Sequence, residues 1–195
     1  MKSIAIERQF GSGGRETGIR AAELAGIPYY DTELIKKAAA AQGVAVDMLE
    51  YFDEKRSGSF LYDVASYMNY ASGGGHDRVH ELFCGMQKTI RDLEKQGPAV
   101  FIGRCTTELL KDRNVLRVYI YSSDQEERAA RIMSTEHVTE YQARQMMEKK
   151  DKERKNYFKY WTQKDWADRN NYDLELNTAG ISTKECAKIL VAAIQ

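Results

Sequence analysis

The stretch Ile6-Glu7-Arg8-Gln9-Phe10-Gly11-Ser12-Gly13-Gly14-Arg15-Glu16 decides how this chain is read. Ile4, Ala5 and Ile6 make a short apolar run of strand type, and Gly11 to Gly14 break it. Arg15 to Leu24 then carries Ile19, Ala22 and Leu24 at helical spacing, and Gly26 stops the helix. A strand, a glycine loop and a helix, in that order, gather backbone N–H groups around one anion. The helix N-terminus adds its partial positive charge. Gly11, Ser12, Gly13, Gly14, Arg15 and Glu16 are therefore the candidate phosphate-binding residues.

The full phosphate-loop pattern, G-x-x-x-x-G-K-[ST], is met only in part. With Gly13 as its second glycine, the first glycine falls on Arg8 and the lysine on Gly14. Arg15 is the cation one residue further on, and Glu16 is the candidate for a magnesium shell, through water. A dinucleotide-binding G-x-G-x-x-G pattern needs a small residue at position 16, where Glu16 stands.

Outward from the loop, strand and helix patterns alternate. Ile27-Pro28-Tyr29-Tyr30 reads as a second strand and Leu34 to Ala41 as a helix. Residues 44–96 read as mostly helical, with a break at Gly73-Gly74-Gly75. Ala99 to Ile102 and Val115 to Tyr121 are apolar strands, Asp124 to Arg169 is charged and helical, and Tyr172 to Leu176 is a last strand. Ser182 caps a final helix running to Ile194. Such alternation predicts a three-layer α/β fold, a parallel five-stranded sheet flanked by helices. Ligands of such sheets sit beyond the carboxyl ends of the strands, which singles out Gly11 to Arg15, Asp31, Gly103-Arg104 and the segment from Ser122 to Arg131.

Composition narrows the function classes. The chain has 195 residues, enough for one domain with a small inserted lobe. Lys+Arg and Asp+Glu are equal at 29 each, so no overall charge draws the protein to nucleic acid or to an anionic membrane. No apolar run reaches the ~20 residues that span a bilayer, and the first residues read as a strand rather than a signal peptide. Three separated cysteines, Cys84, Cys105 and Cys186, form neither a disulfide framework nor a zinc pattern. The expected compartment is cytoplasmic.

Arginine suits phosphoryl chemistry, because its planar fork pairs bidentately with phosphate and stays charged. Arg104 follows Gly103 directly after a buried strand. Arg128 and Arg131 are three apart and share a helix face, and Asp151 and Arg154 form a second such pair. The bland reading of Arg128 is a surface ion pair with Asp124, four residues before it. His76 and His80 could bind metal from one helix face, but two histidines alone rarely make a site. The aromatic residues from Tyr157 to Trp166 fit core packing better than base stacking.

These segments together resemble the cytidylate kinase-like family. The resemblance spans nearly the whole chain and is strongest over Ile6 to Glu16 and Gly26 to Asp31. Phe52-Asp53-Glu54-Lys55, Ser59-Phe60-Leu61-Tyr62, Phe101-Ile102-Gly103-Arg104-Cys105 and Asn171-Tyr172-Asp173-Leu174 add to it. It implies a single P-loop kinase domain, with a core of residues 1–41 and 97–195, a helical acceptor-binding lobe at about 42–96 and a lid at about 122–170. It also implies transfer of the ATP γ-phosphate, with Mg2+, to a nucleoside monophosphate, CMP or dCMP foremost. Arg15, Arg128 and Arg131 are then the catalytic arginines, and Asp31, Thr32, Lys37, Arg104, Asp151 and Arg154 the acceptor-binding residues. Gly14, Ile132 and Met147 stand where the family pattern has a lysine and two arginines. Two other readings stay open: a regulatory module that binds nucleotide without turnover, and a kinase for another small acceptor.

Overall fold

The computed structural model describes residues 1–41, 43 and 75–195, with side chains from Phe83 onward in the helix that begins at Gly75. Most of the expected acceptor-binding lobe, with the segments Phe52–Lys55 and Ser59–Tyr62 and the side chains of His76 and His80, lies outside the described residues.

The elements in chain order are β1 (Ser3–Arg8), α1 (Gly14–Ala25), β2 (Tyr29–Tyr30), α2 (Thr32–Ala41), α3 (Gly75–Lys95), β3 (Val100–Ile102), α4 (Thr106–Leu109), β4 (Val115–Tyr121), α5 (Gln125–Glu136), α6 (Glu140–Thr162), β5 (Leu174–Asn177) and α7 (Thr183–Ile194). The five strands form one parallel sheet in the order β2-β3-β1-β4-β5. Because every strand points the same way, the segments after β1, β3 and β4 emerge at one edge.

Alternation along the strands builds the two faces. Ile4 and Ile6, with Val100, Ile102, Leu116, Val118 and Ile120, turn to the face covered by α1 and α7. Phe101 turns the other way onto Ile35, Ile90 and Leu110. Tyr119 does the same onto Tyr157, Phe158, Trp166 and Tyr172, so the aromatic run is core, as its spacing predicts. β1 is buried along its whole length, which is what a central parallel strand requires. Helix α1 lies close to it because Gly18 has no side chain. A Cβ there would stand 2.8 Å from Ile102 Cδ1 and 2.9 Å from Ile6 Cδ1.

Two local readings change. Leu24 points outward, 56% exposed, because the sheet face of α1 is made by Thr17, Gly18, Ala21 and Ala22. Those small residues are what let the helix sit down. The charged run from Asp124 to Arg169 holds two helices, and the turn between them is built locally. His137 takes a left-handed backbone (φ 56°), and Thr139 starts α6 with a capping box in which its side chain and that of Gln142 satisfy each other's backbone. The last strand starts at Leu174, because Tyr172 and Asp173 are held from elsewhere. The Tyr172 hydroxyl donates to Trp166 O at 2.6 Å, and the Asp173 carboxylate takes Arg117 N–H and guanidinium donors.

Candidate functional site

The loop from Gln9 to Gly13 runs from the end of β1 to α1, and its carbonyls are turned into the protein. Arg128 Nε and Nη2 donate to Phe10 O at 3.0 and 2.7 Å. Arg131 Nη1 donates to Gly11 O at 2.8 Å, Thr178 Oγ1 to Ser12 O at 2.8 Å, and Thr17 N and Oγ1 to Gly13 O at 2.9 and 3.0 Å. A planar trans peptide points its N–H opposite to its C=O. The amides of Gly11 and Gly13 therefore face away from Arg128 and Thr178. Gly11 and Gly13 both have φ of 75°, a left-handed backbone that glycine takes without strain.

Helix α5 is pressed onto this loop. A Cβ on Gly11 would stand 2.8 Å from Ile132 Cδ1 and 2.9 Å from Arg128 O. One on Gly13 would stand 2.7 Å from Thr183 Cγ2 and 3.3 Å from Arg131 Cζ. The grip has a second side: Phe10 N–H donates to Asp151 Oδ1 at 2.7 Å, and Asp151 Oδ2 accepts from Arg128 Nη2 at 2.5 Å. One ion pair between α5 and α6 thus holds both polar atoms of Phe10. Arg128 is 4% exposed, so it is not a surface partner of Asp124, whose carboxylate instead caps α5.

Between α1 and α5 lies a cavity of about 570 Å³, within the usual size of a small-ligand site. Of the residues singled out from sequence, Gly11, Gly13, Gly14, Arg15, Glu16, Arg131 and Arg154 line it together. Arg8, Phe10, Ile19, Arg20 and Ile132 complete much of the wall. Ser12, Arg128 and Asp151 stand behind the loop. The Ser12 hydroxyl is buried and donates to Gln9 O and Ile120 O, so it shapes the turn.

Asp31, Thr32, Lys37 and Arg104 do not line the cavity. Asp31 follows β2 and meets the site through Arg15, whose Nη2 lies 2.7 Å from its Oδ2. Thr32 opens α2, and Lys37 is exposed one turn on. Arg104 is buried after β3, its guanidinium 5.4 Å from the Tyr157 ring centre. Glu16 Oε1 accepts from Arg20 at 2.8 Å and from Thr183 Oγ1 at 3.2 Å. Among the described residues, no group of three His, Cys, Asp or Glu side chains is placed to hold a metal ion, and no helix is long and apolar enough to cross a membrane.

Burial opposes the charge of Asp31, but the Leu34 N–H and the Arg15 guanidinium outweigh it and hold its carboxyl below the ordinary value. A depressed folded-state value contributes stability above the unfolded-state pKa of about 4, lost as pH falls through the folded value. Thermal melts of Asp31→Asn should therefore fall below wild type at neutral pH and converge with it in acid. A constant gap from pH 7 to pH 3 would exclude this account.

Sequence reasoning passed over Arg8, Thr178 and Thr183. Arg8 carried a signal, since it sits where the phosphate-loop pattern has its first glycine. The two threonines are more than 150 residues from the loop they touch, beyond the reach of any local pattern.

A parallel sheet in this strand order, with a glycine loop leaving its central strand and arginines reaching that loop from two later helices, defines a kinase-like α/β protein. A profile of the cytidylate kinase-like family matches residues 3–180, and the chain belongs to that family. Among solved structures, an uncharacterized protein from Eubacterium ventriosum ATCC 27560 is 25% identical at a TM-score of 0.69, covering 100% of this chain and 98% of that one. Shikimate kinase from Acinetobacter baumannii, in complex with shikimate, is 14% identical at a TM-score of 0.53, covering 100% of this chain and 93% of its own. TT1252 from Thermus thermophilus is 16% identical at a TM-score of 0.51, with both chains fully covered. The last two show the fold alone. A search among curated proteins gives no match.

Proposed function

We propose that the protein transfers the γ-phosphate of ATP to a nucleoside monophosphate, with CMP or dCMP as the expected acceptor. One observation carries this reading: a glycine loop whose carbonyls are all held by protein donors, beside a cavity lined by Arg8, Arg15, Arg131 and Arg154. Phosphoryl transfer asks little covalent chemistry of a protein. It asks for alignment of donor and acceptor and for cations around the transferred group. In this reading the loop amides and Arg131 take the donor phosphates. Arg15 stands between donor loop and acceptor side, because it is tied to Asp31. Thr32, Lys37, Arg104 and Arg154 are the acceptor residues that membership of the family suggests. Arg128 and Asp151 act on the loop rather than on the ligand.

Magnesium enters this reading as part of the substrate, MgATP. Glu16 has one carboxylate oxygen engaged by Arg20 and Thr183, and the other is its candidate for a contact to the ion through water. Among the described residues no group of three His, Cys, Asp or Glu side chains is placed to hold a resident metal, so in this reading the ion arrives on the phosphate oxygens.

A coupled ADP-release assay over a panel of acceptors tests the proposal. Turnover with CMP or dCMP above other monophosphates is the expected result. Turnover only with a non-nucleotide acceptor would move the substrate class. ATP binding with no ADP formed against any acceptor would favour the regulatory module, which the missing side chain at Gly14 supports.

A further inference from the structure

Positions 8 and 14 stand against each other. A Cβ on Gly14 would lie 2.6 Å from Arg8 Cβ and 3.1 Å from Arg8 Cγ, with Ile120 Cβ at 3.3 Å on the other side. Non-bonded carbons do not approach to 2.6 Å, so one of these positions carries a side chain only if the other is bare. In the G-x-x-x-x-G-K-[ST] pattern the first position is the bare glycine and the seventh carries the cation. Here the two are exchanged: Arg8 holds the first position and Gly14 the seventh.

The path of the Arg8 side chain agrees. It runs from the end of β1 toward the end of β3. A Cβ on Gly103 would fall on its Nη1, and would lie 3.0 Å from its Cζ and 3.3 Å from its Nη2. Gly103, whose φ of 83° itself favours glycine, thus leaves the space that the guanidinium fills. Arg8 also lines the cavity beside the loop. Its main chain is held as well, for Arg154 Nη1 donates to the Arg8 backbone carbonyl at 3.0 Å, and the Arg154 guanidinium lies 5.5 Å from the Phe10 ring centre.

We propose that Arg8 is the donor-phosphate cation of this loop, supplying from the end of β1 the charge that the usual lysine supplies from the start of the helix. Gly14 is bare because the Arg8 stem occupies its space, and Gly103, with its positive φ that itself favours glycine, leaves room for the guanidinium. The inference rests on the kinase reading for the identity of the anion as a nucleoside triphosphate. A guanidinium in this role offers a planar fork for two phosphate oxygens and keeps its charge at any working pH.

The test is calorimetric titration of the full chain with ATP and, separately, with inorganic tripolyphosphate. A thermal melt of each variant establishes that it is folded. Arg8→Gln keeps most of the stem and removes the charge. It is expected to weaken both ligands by roughly tenfold or more, as loss of a charged hydrogen-bond donor does. Arg8→Lys, which serves if the glutamine variant does not fold, should keep the charge, lose the fork and fall between the two. Gly14→Lys alone should bind poorly, and Arg8→Gly with Gly14→Lys should recover affinity that Arg8→Gly alone loses. Wild-type affinity for both ligands in folded Arg8→Gln overturns the inference, and so does equal affinity of Arg8→Gly and the double variant. Intact ATP binding without phosphoryl transfer to any acceptor overturns the kinase reading alone, because Arg8 is judged by binding and not by turnover.

Discussion

Arg131→Ala is expected to lower turnover about 10²-fold, the usual cost of removing one preorganised donor from a site where charge develops. The side chain is held at two points. Nη1 donates to Gly11 O at 2.8 Å, and Nη2 meets Glu127 Oε1 at 2.8 Å. Its Cζ lies 3.3 Å from the place a Gly13 side chain would begin. A cation so fixed beside the loop costs no rearrangement when the transferred group gains negative charge. The measurement is steady-state kinetics with a confirmed acceptor, set against ATP affinity by calorimetry. The expected pattern is a large fall in kcat with a smaller change in ATP binding. Arg131→Lys should recover only part, because an ammonium cannot hold Gly11 O and Glu127 in the same plane. Turnover near wild type in Arg131→Ala would remove this residue from the mechanism.

Arg128→Ala should be the most destabilising single change around the loop. Arg128 is nearly inaccessible and donates to Phe10 O twice and to Asp151 once. Truncation leaves the Phe10 carbonyl without its donors and the Asp151 carboxylate without its counter-charge. Removing one partner of a buried pair costs about 3 kcal/mol, which corresponds to a fall in Tm of about 10 °C for a chain of this size. Asp151→Asn is the matched control. An amide oxygen can still accept from Phe10 N–H, so the loss should be smaller. A Tm within about 2 °C of wild type in Arg128→Ala would mean that the ion pair does not hold the loop.

The contrast between these two arginines shows what the sequence could and could not tell. Their shared helix face follows from a separation of three residues, and both do reach the loop. Their division of labour does not follow. The spacing offers Arg128 a partner at Asp124, four residues before it. The folded chain supplies Asp151, 23 residues later, because α6 turns back along α5 after His137. That reversal is written in Thr139 and Gln142, but the uniform charge on either side hides it. The strands were easier. Ile4–Ile6, Ala99–Ile102 and Val115–Tyr121 are apolar runs bounded by loop residues, and burial on both faces of a parallel sheet demands such runs. Gly26 and Ser182 marked a helix end and a helix start for reasons local to the backbone. Arg8 was visible only as a break in a pattern. Its meaning needed the distance between two positions that face each other in space.

The filled carbonyls of the loop have a consequence for the entropy of binding. Each residue fixed in a single backbone conformation costs about 1–2 kcal/mol of conformational entropy. Phe10, Gly11, Ser12 and Gly13 are fixed by Arg128, Arg131, Thr178 and Thr17. The ordering of these four residues is thus met when the chain folds, by donors drawn from α1, α5 and the segment after β5. A phosphate arriving at the loop orders little backbone there, and more of its contact energy remains as affinity.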